Sequence, residues 1–376
     1  SGMVVPRFGM VAGEASGDLL ASLLLQGLRA RWPALRAQGI GGPKMQAQGF
    51  EAWWPSSKLS VFGYVDALLN LRELLSIRKQ LGNRLLAERP DVFIGIDAPD
   101  FNFGLEARLR AAGLKTVHFV CPSIWAWRPE RIEKIRVAAD HVLCLFPWEP
   151  EILQRGGIAA SYVGHPLADA IPIEPPREAA RAALGLCADD TVIALLPGSR
   201  KSEIRYIAPP LIAAARRLQQ PGRRFVLPVA PGLRPLVEPL VGDAPIQLVD
   251  GQSHTVLAAC DLTLVASGTA ALEAALFKRP MVIAYKLHAL NHWRMKGKAL
   301  QPWIGLPNII AREFLVPELL QDACTPENLA REAESLLADA PRRERLHAAF
   351  VQQHELLRRD TATQAAHAIA QILGHA

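Results

Sequence analysis

The sequence predicts an α/β protein: two doubly wound, Rossmann-like parallel-sheet lobes followed by a helical end. Three observations predict it. Short apolar runs alternate with helical stretches at the rhythm of βαβ units. That alternation stops at a proline-rich stretch and then restarts, and from Thr325 onward the chain reads as charged helix with no further strand signal. At 376 residues the chain is also too long for one comfortable core. The expected domains are an N-terminal lobe over 1–170, a C-terminal lobe over 171–324 and a helical tail over 325–376. The tail is expected to pack on its own lobe, return to the first lobe, or be exchanged with a second subunit.

Taken in order, the first lobe offers "FGMVAG" as a strand, a helix from about Leu19, "DVFIGID" as a strand, "FNFGLEARLRAAG" as a helix, then strands "KTVHFV" and "HVLCLF". Strand, helix, strand at this rhythm reads as parallel βαβ units. Prolines crowd between Pro166 and Pro176, which marks an interdomain linker. The second lobe follows with "TVIALL", "RFVLPVA", "IQLVD", "LTLVA" and "PMVIAYK", separated by helical stretches such as "EIRYIAPPLIAAARRLQQ".

Half the residues are hydrophobic and 21% are charged, a balance that excludes a disordered chain. The net charge of +6 suits anionic ligands or an anionic membrane surface and does not by itself indicate nucleic acid. Cys121, Cys144, Cys187, Cys260 and Cys324 are odd in number, widely spaced and without a CxxC pair, so neither a disulfide framework nor a zinc site is indicated and a reducing cytoplasm fits. No apolar run reaches the ~20 residues that span a bilayer, and the opening has no signal-type pattern. Secretion and membrane spanning are therefore not expected.

Ligands of open α/β sheets sit beyond the carboxyl ends of the strands, where helix N-termini point their N–H groups. In "LLPGSRKSEI" a strand ends at Leu196 and turns through Gly198 into a helix, with Ser199 and Arg200 at its mouth. That grouping suits a diphosphate, because arginine pairs phosphate oxygens bidentately; a plain helix cap is the alternative. "LVASGTAALEAAL" repeats the design with Ser267, Gly268 and Thr269 in the turn and Glu273 one turn in. An acid there can accept hydrogen bonds from ribose hydroxyls, or serve only the helix dipole. Neither segment is a GxGxxG or Walker A loop, and the pair favours a nucleotide-sugar.

In the first lobe, "VAGEASGDLL" puts Glu14, Ser16, Gly17 and Asp18 in a turn that repels phosphate and can hold sugar hydroxyls, with Gly17 letting the helix start close to the ligand. "DVFIGIDAPDFN" drives a strand into Asp97, which is placed either to act as a general base or to cap the next helix. Trp125, Trp127 and Arg128 follow in "PSIWAWR", where tryptophan suits sugar stacking or packing. His165 in "VGHP" reads as structural or ligand-adjacent. Residues 59–79 place Val61, Phe62, Val65, Leu68 and Leu69 with Arg72 on a helical segment, either an interfacial helix on anionic lipid or a core helix. "NHWRMKGKALQPW" is a second basic and aromatic patch.

The strings "VAGEASGD", "IGIDAPDFN", "PSIWAWR", "VGHPLAD", "LLPGSR", "ASGTAALEA" and "LPNIIA", in this order over residues 11–311, resemble the lipid-A-disaccharide synthase family of glycosyltransferases. The resemblance implies a GT-B fold with two lobes facing a cleft, and neither metal nor cofactor, the UDP-sugar being a substrate. It implies that UDP-2,3-diacylglucosamine donates its sugar to 2,3-diacylglucosamine 1-phosphate (lipid X), with inversion, giving a β-1,6 disaccharide 1-phosphate and UDP. On this resemblance Asp97 matches the candidate base. Arg200, Ser199, Ser267, Gly268 and Thr269 match the diphosphate side, Glu273 the ribose side, and Asn308 of "LPN" a cleft residue that hydrogen-bonds the donor. Glu14, Ser16, Gly17, Asp18 and Trp127 fall to the acceptor or sugar side. Cytoplasmic location with peripheral attachment to the inner membrane and a homodimer are implied, with no nucleic-acid partner. The alternatives are another two-lobed UDP-sugar enzyme: a glycosyltransferase with a polyprenyl-linked acceptor, or a UDP-sugar 2-epimerase.

Overall fold

The computed structural model describes residues 5–59, 64–123, 129–287 and 301–374. The chain divides into two units, 1–169 with 357–376, and 170–356. In the first unit the order is β1 (Arg7–Ala12), α1 (Glu14–Arg31), β2 (Arg36–Gly41), α2 (Pro43–Ala47), β3 (Glu51–Pro55), α3 (Tyr64–Glu88), β4 (Val92–Ile96), α4 (Pro99–Ala111), β5 (Lys115–Phe119), α5 (Ile132–Ala138), β6 (His141–Cys144), α6 (Glu149–Arg155) and β7 (Ala160–Tyr162). The strands form a parallel sheet of order β3-β2-β1-β4-β5-β6-β7. β4 is buried along its whole length, as a strand covered by helices on both faces must be. One layer of the core packs Ile77, Leu81 and Leu85 of α3 on Phe93 and Leu105; the other packs Phe103, Ile135 and Leu153 around Val142 and Cys144.

A short helix, α7 (Pro166–Ala170), carries the chain over to α8 (Arg177–Leu184) and the second unit. There β8 (Thr191–Leu196), α9 (Lys201–Leu218), β9 (Arg223–Val229), α10 (Arg234–Val241), β10 (Ile246–Asp250), α11 (Ser253–Ala259), β11 (Leu262–Ala266), α12 (Thr269–Leu276) and β12 (Met281–Tyr285) alternate. α13 (Leu306–Ala311) and β13 (Glu318–Leu320) complete a parallel sheet of order β10-β9-β8-β11-β12-β13. The helical end, read from the sequence as one tail over 325–376, is divided between the units. α14 (Pro326–Ala338) and nearly all of α15 (Ala340–Leu357) stay with the second, while α16 (Thr361–Ile372) belongs to the first and packs on α1.

Each sheet has one switch point, where the strand order turns back on itself: between β1 and β4 in the first, between β8 and β11 in the second. Successive crossovers leave in opposite directions there and open a crevice at the carboxyl ends.

Candidate active site

At the first switch point β1 runs directly into α1, which opens at Glu14 with Gly13 as its N-cap. The helix begins five residues earlier than the sequence suggested, so Gly17 and Asp18 lie within it and are buried. This corrects the expectation for both. Gly17 does not mark the helix start. Asp18 turns its carboxylate inward to accept the N–H groups of Gly42 at 3.1 Å, Lys44 at 3.0 Å and Met45 at 3.0 Å, so it caps α2 and does not face a sugar. Glu14 and Ser16 stay half-buried at the mouth of α1.

Asp97 follows β4 on the other side of the switch point and is half-buried. It does not occupy the capping position of α4, which falls on Ala98. Its N–H donates to the Phe119 carbonyl at 2.9 Å, and its own carbonyl accepts from Asn102 Nδ2 at 2.8 Å. The buried Asn102 amide also reaches the carbonyls of Val11 and Ile96, both at 3.4 Å, stapling the tips of β1 and β4 together. Gly95 makes this possible, because a Cβ there would meet Glu106 Oε2 at 2.3 Å and the Asn102 side chain at 3.1 Å.

Glu14 (φ 58°), Asp97 (φ 51°), Ala98 (φ 43°) and Val120 (φ 79°) all adopt left-handed backbone. Such conformations cost non-glycine residues about 1 kcal/mol or more each, most for a β-branched side chain. They follow β1, β4 and β5, three neighbouring strands, at their carboxyl ends. Such conformations cluster at active sites and ligand clamps, although Arg89, Gln252, Lys278 and others adopt them elsewhere in this chain.

At the second switch point the two glycine turns differ. Gly198 (φ +106°) leads into α9, and the Glu203 carboxylate accepts the N–H groups of Ser199 and Arg200, each at 3.1 Å. The amides expected to await a phosphate here are thus taken by Glu203, and the turn offers the exposed Ser199 and the Arg200 side chain. A Cβ at Gly198 would sit 2.5 Å from the Glu203 carboxyl carbon. Gly268 (φ +117°) leads into α12 without a side-chain cap and with open space where its Cβ would point. Ser267 Oγ donates to the Ile304 carbonyl at 3.4 Å, and Thr269 is half-buried beside it.

One turn along α12, Glu273 pairs through Oε2 with His254 Nε2 of α11. His254 was not read from the sequence; it lies on a different helix and no spacing rule links it to Glu273. Asn308 departs from its expected role. It is fully buried, donates to the Val316 carbonyl and to Glu318 Oε2 at 2.9 Å each, and accepts the Val316 N–H at 3.0 Å. Glu318 in turn accepts the N–H groups of Ile304 at 3.1 Å and Gly305 at 2.8 Å. Asn308 therefore clamps the loop on which Ser267 rests instead of pointing at a donor.

Trp127, with Trp125 and Arg128, lies outside the described residues, as do Val61, Phe62 and nearly all of the second basic patch; the side chains of Val65, Leu68 and Leu69 are likewise outside. Arg72 is exposed on α3, flanked by Leu71 (48% exposed) and Leu75 (45%). His165 is structural: its Nδ1 accepts the Leu167 N–H at 3.2 Å, and burial pushes its pKa down to about 3.

Two doubly wound parallel sheets, each with its candidate side chains gathered at a switch point on the carboxyl edge, define a GT-B protein. Solved structures agree. The UDP-GlcNAc 2-epimerase of Neisseria meningitidis bound to UDP-GlcNAc superposes with a TM-score of 0.66 at 12% identity, covering 98% of this chain and 100% of that one. The calicheamicin glycosyltransferase CalG4 does so with a TM-score of 0.60 at 16% identity, covering 99% of each. At such identities the likeness concerns the fold alone. Sequence relatives are nearer: the lipid-A-disaccharide synthase of Verminephrobacter eiseniae is 58% identical over 382 residues, 98% of both chains, and that of Burkholderia thailandensis 54% over 374 residues, 98% of this chain and 96% of its own. The family model for lipid-A-disaccharide synthetase matches residues 9–372. The chain belongs to that family and is a glycosyltransferase of lipid A biosynthesis.

Proposed function

We propose that the enzyme transfers the sugar of UDP-2,3-diacylglucosamine to the 6-hydroxyl of 2,3-diacylglucosamine 1-phosphate, with inversion and without a metal or cofactor. Asp97 takes the hydroxyl proton as the acceptor oxygen attacks the anomeric carbon, and UDP leaves with the electron pair of the broken bond. The diphosphate rests on the open Ser267–Gly268–Thr269 turn, where no side chain caps the N-terminus of α12 and the helix dipole favours an anion. Arg200 reaches it from the neighbouring turn, and Glu273, oriented by His254, receives the ribose hydroxyls. Glu14 and Ser16 serve the acceptor or sugar side.

The observation that carries this reading is the left-handed pair Asp97–Ala98 at the tip of β4, held by the Asn102 amide. Left-handed backbone at a half-buried acid, held through its own carbonyl by a buried amide, fixes where the Asp97 side chain leaves the strand tip. Both substrates are acylated, so the protein works at a membrane surface. The exposed Leu71 and Leu75 beside Arg72 support an interfacial contact for α3, at the cytoplasmic face of the inner membrane. No described helix is long and apolar enough to cross a membrane.

The test is product formation in detergent with EDTA present, comparing wild type with Asp97→Asn and Asp97→Ala. Disaccharide phosphate and UDP are expected from wild type, with kcat lowered on the order of 100-fold or more in both variants and UDP affinity unchanged. A fully active variant removes Asp97 as the base. Conversion of the UDP-sugar without acceptor would instead point to an epimerase, and transfer only to a polyprenyl-linked acceptor to the other glycosyltransferase.

A further inference from the structure

We propose that Cys121, Cys144 and Glu149 form a binding site for a thiophilic divalent cation of the zinc type, apart from the sugar-transfer chemistry. The two sulfur atoms and a carboxylate oxygen lie within 4.8 Å of one another, and all three residues are buried. They come from three elements: Cys121 follows β5, Cys144 closes β6 and Glu149 opens α6. β5 and β6 are paired in parallel register, His118 opposite Val142 and Phe119 opposite Leu143, so backbone hydrogen bonds set the distance between the thiols. Glu149 is held in turn, its Oε1 accepting the Phe146 N–H at 3.1 Å. Each sulfur also meets a backbone carbonyl, that of Pro122 for Cys121 at 3.3 Å and that of Val142 for Cys144 at 3.9 Å.

Zinc–sulfur bonds of about 2.3 Å in a tetrahedral site place two sulfurs about 3.8 Å apart, a spacing that fits ligand atoms lying within 4.8 Å of one another. Without a cation, two buried sulfurs beside a carboxylate have no positive charge within the cluster to favour thiolates. A dication reverses this. Two thiolates and a carboxylate set −3 against +2, the two thiol protons pass to solvent, and a fourth position remains for water. The sequence hides such a site, because its cysteines meet only where neighbouring strands bring them together. Bound there, the ion ties the tip of β5, next to the left-handed Val120, to β6 and α6.

The experiment is titration of the full chain, kept reduced with a phosphine, by Co²⁺ and by Cd²⁺, following thiolate charge-transfer absorption and the cobalt d–d bands. One equivalent with tetrahedral sulfur-ligated bands is expected. Cys121→Ser and Cys144→Ala should each abolish the bands, and Cys187→Ser, at an exposed cysteine, should keep them. Glu149→Gln should keep the thiolate bands and weaken affinity at least about tenfold. Absence of a saturable band in the wild type overturns the proposal, as does wild-type affinity in Cys144→Ala. Should Cys144→Ala fail to fold, unchanged affinity in Glu149→Gln overturns it equally.

Discussion

Asn308 shows what a single buried amide can do without touching a ligand. Its three hydrogen bonds join α13 to the Val316 backbone and to Glu318, and Glu318 holds the N–H groups of Ile304 and Gly305. Removing the amide takes away its hydrogen bonds to the Val316 N–H and carbonyl in a dry site, and unmet buried groups cost about 1–3 kcal/mol each. Asn308→Ala is therefore expected to destabilise the second unit by about 3 kcal/mol, read as loss of hydrogen-exchange protection around β13, with any drop in activity following from it. A residue that only contacted the donor would raise KM and leave protection unchanged. Asn308→Asp should not restore stability, because it sets a second carboxylate against Glu318. The contrast with Asp97 is instructive. Asp97 follows β4 at the first switch point and Asn308 lies in the first turn of α13, ahead of the edge strand β13, and nothing in their one-dimensional neighbourhood separates a strained, half-buried acid from a satisfied, buried amide.

At the scale of elements, α3 divides along its length. Its C-terminal half buries Ile77, Leu81 and Leu85 in the core, while Leu71 and Leu75, one turn apart, face outward with Arg72. Each leucine moved from water into an apolar environment is worth about 1.5–3 kcal/mol. Leu71→Glu with Leu75→Glu should thus lower partitioning to anionic vesicles on the order of tenfold or more, with little change in thermal midpoint or in kcat measured in detergent. Equal partitioning would return the whole helix to a purely structural role. Helical periodicity alone does not say which half meets the sheet, so the sequence leaves the segment either interfacial or core. The doubly covered strands are legible for the opposite reason: β1, β4, β8 and β11 are nearly continuous apolar runs. β2, "RAQGIG", carries polar residues and glycines, β3 is an edge strand, and β7 and β13 are three residues each, so they gave no usable pattern. Glu203 could have been found, since it stands three residues after the capping position of α9. The His254–Glu273 pair and the Asp18 cap could not, because their partners are set by the packing of separate elements.

The whole molecule is organised by a chain that leaves its first unit and comes back. On its return the Leu357 carbonyl accepts the His165 N–H at 2.9 Å. Asp169 then caps α16 by accepting the N–H groups of Asp360 at 3.0 Å and Thr361 at 2.8 Å. α16 lies so close on α1 that a Cβ at Gly27 would fall 1.8 Å from Ala362 Cβ, which leaves only glycine for that position. His165 sits at this junction, buried against Phe146, with the lone pair of Nδ1 turned to the Leu167 N–H. Protonation would set two N–H groups against each other in a dry site. Burial holds its pKa at about 3, below the ordinary value of 6.5. The folded protein therefore keeps His165 neutral at pH values where the unfolded chain binds a proton. Its contribution is fully present above pH 6.5 and is lost progressively as pH falls from there toward 3, at about 1.4 kcal/mol per pH unit. Between pH 7 and pH 5 the first unit should lose about 2 kcal/mol through this group, seen as weaker hydrogen-exchange protection of α1 and α16 once intrinsic exchange rates are corrected for pH. In His165→Gln, whose side chain does not titrate, that share of the pH dependence should vanish although the variant is less stable at pH 7. The same loss of protection with glutamine would assign the acid sensitivity to other groups and leave His165 as packing alone.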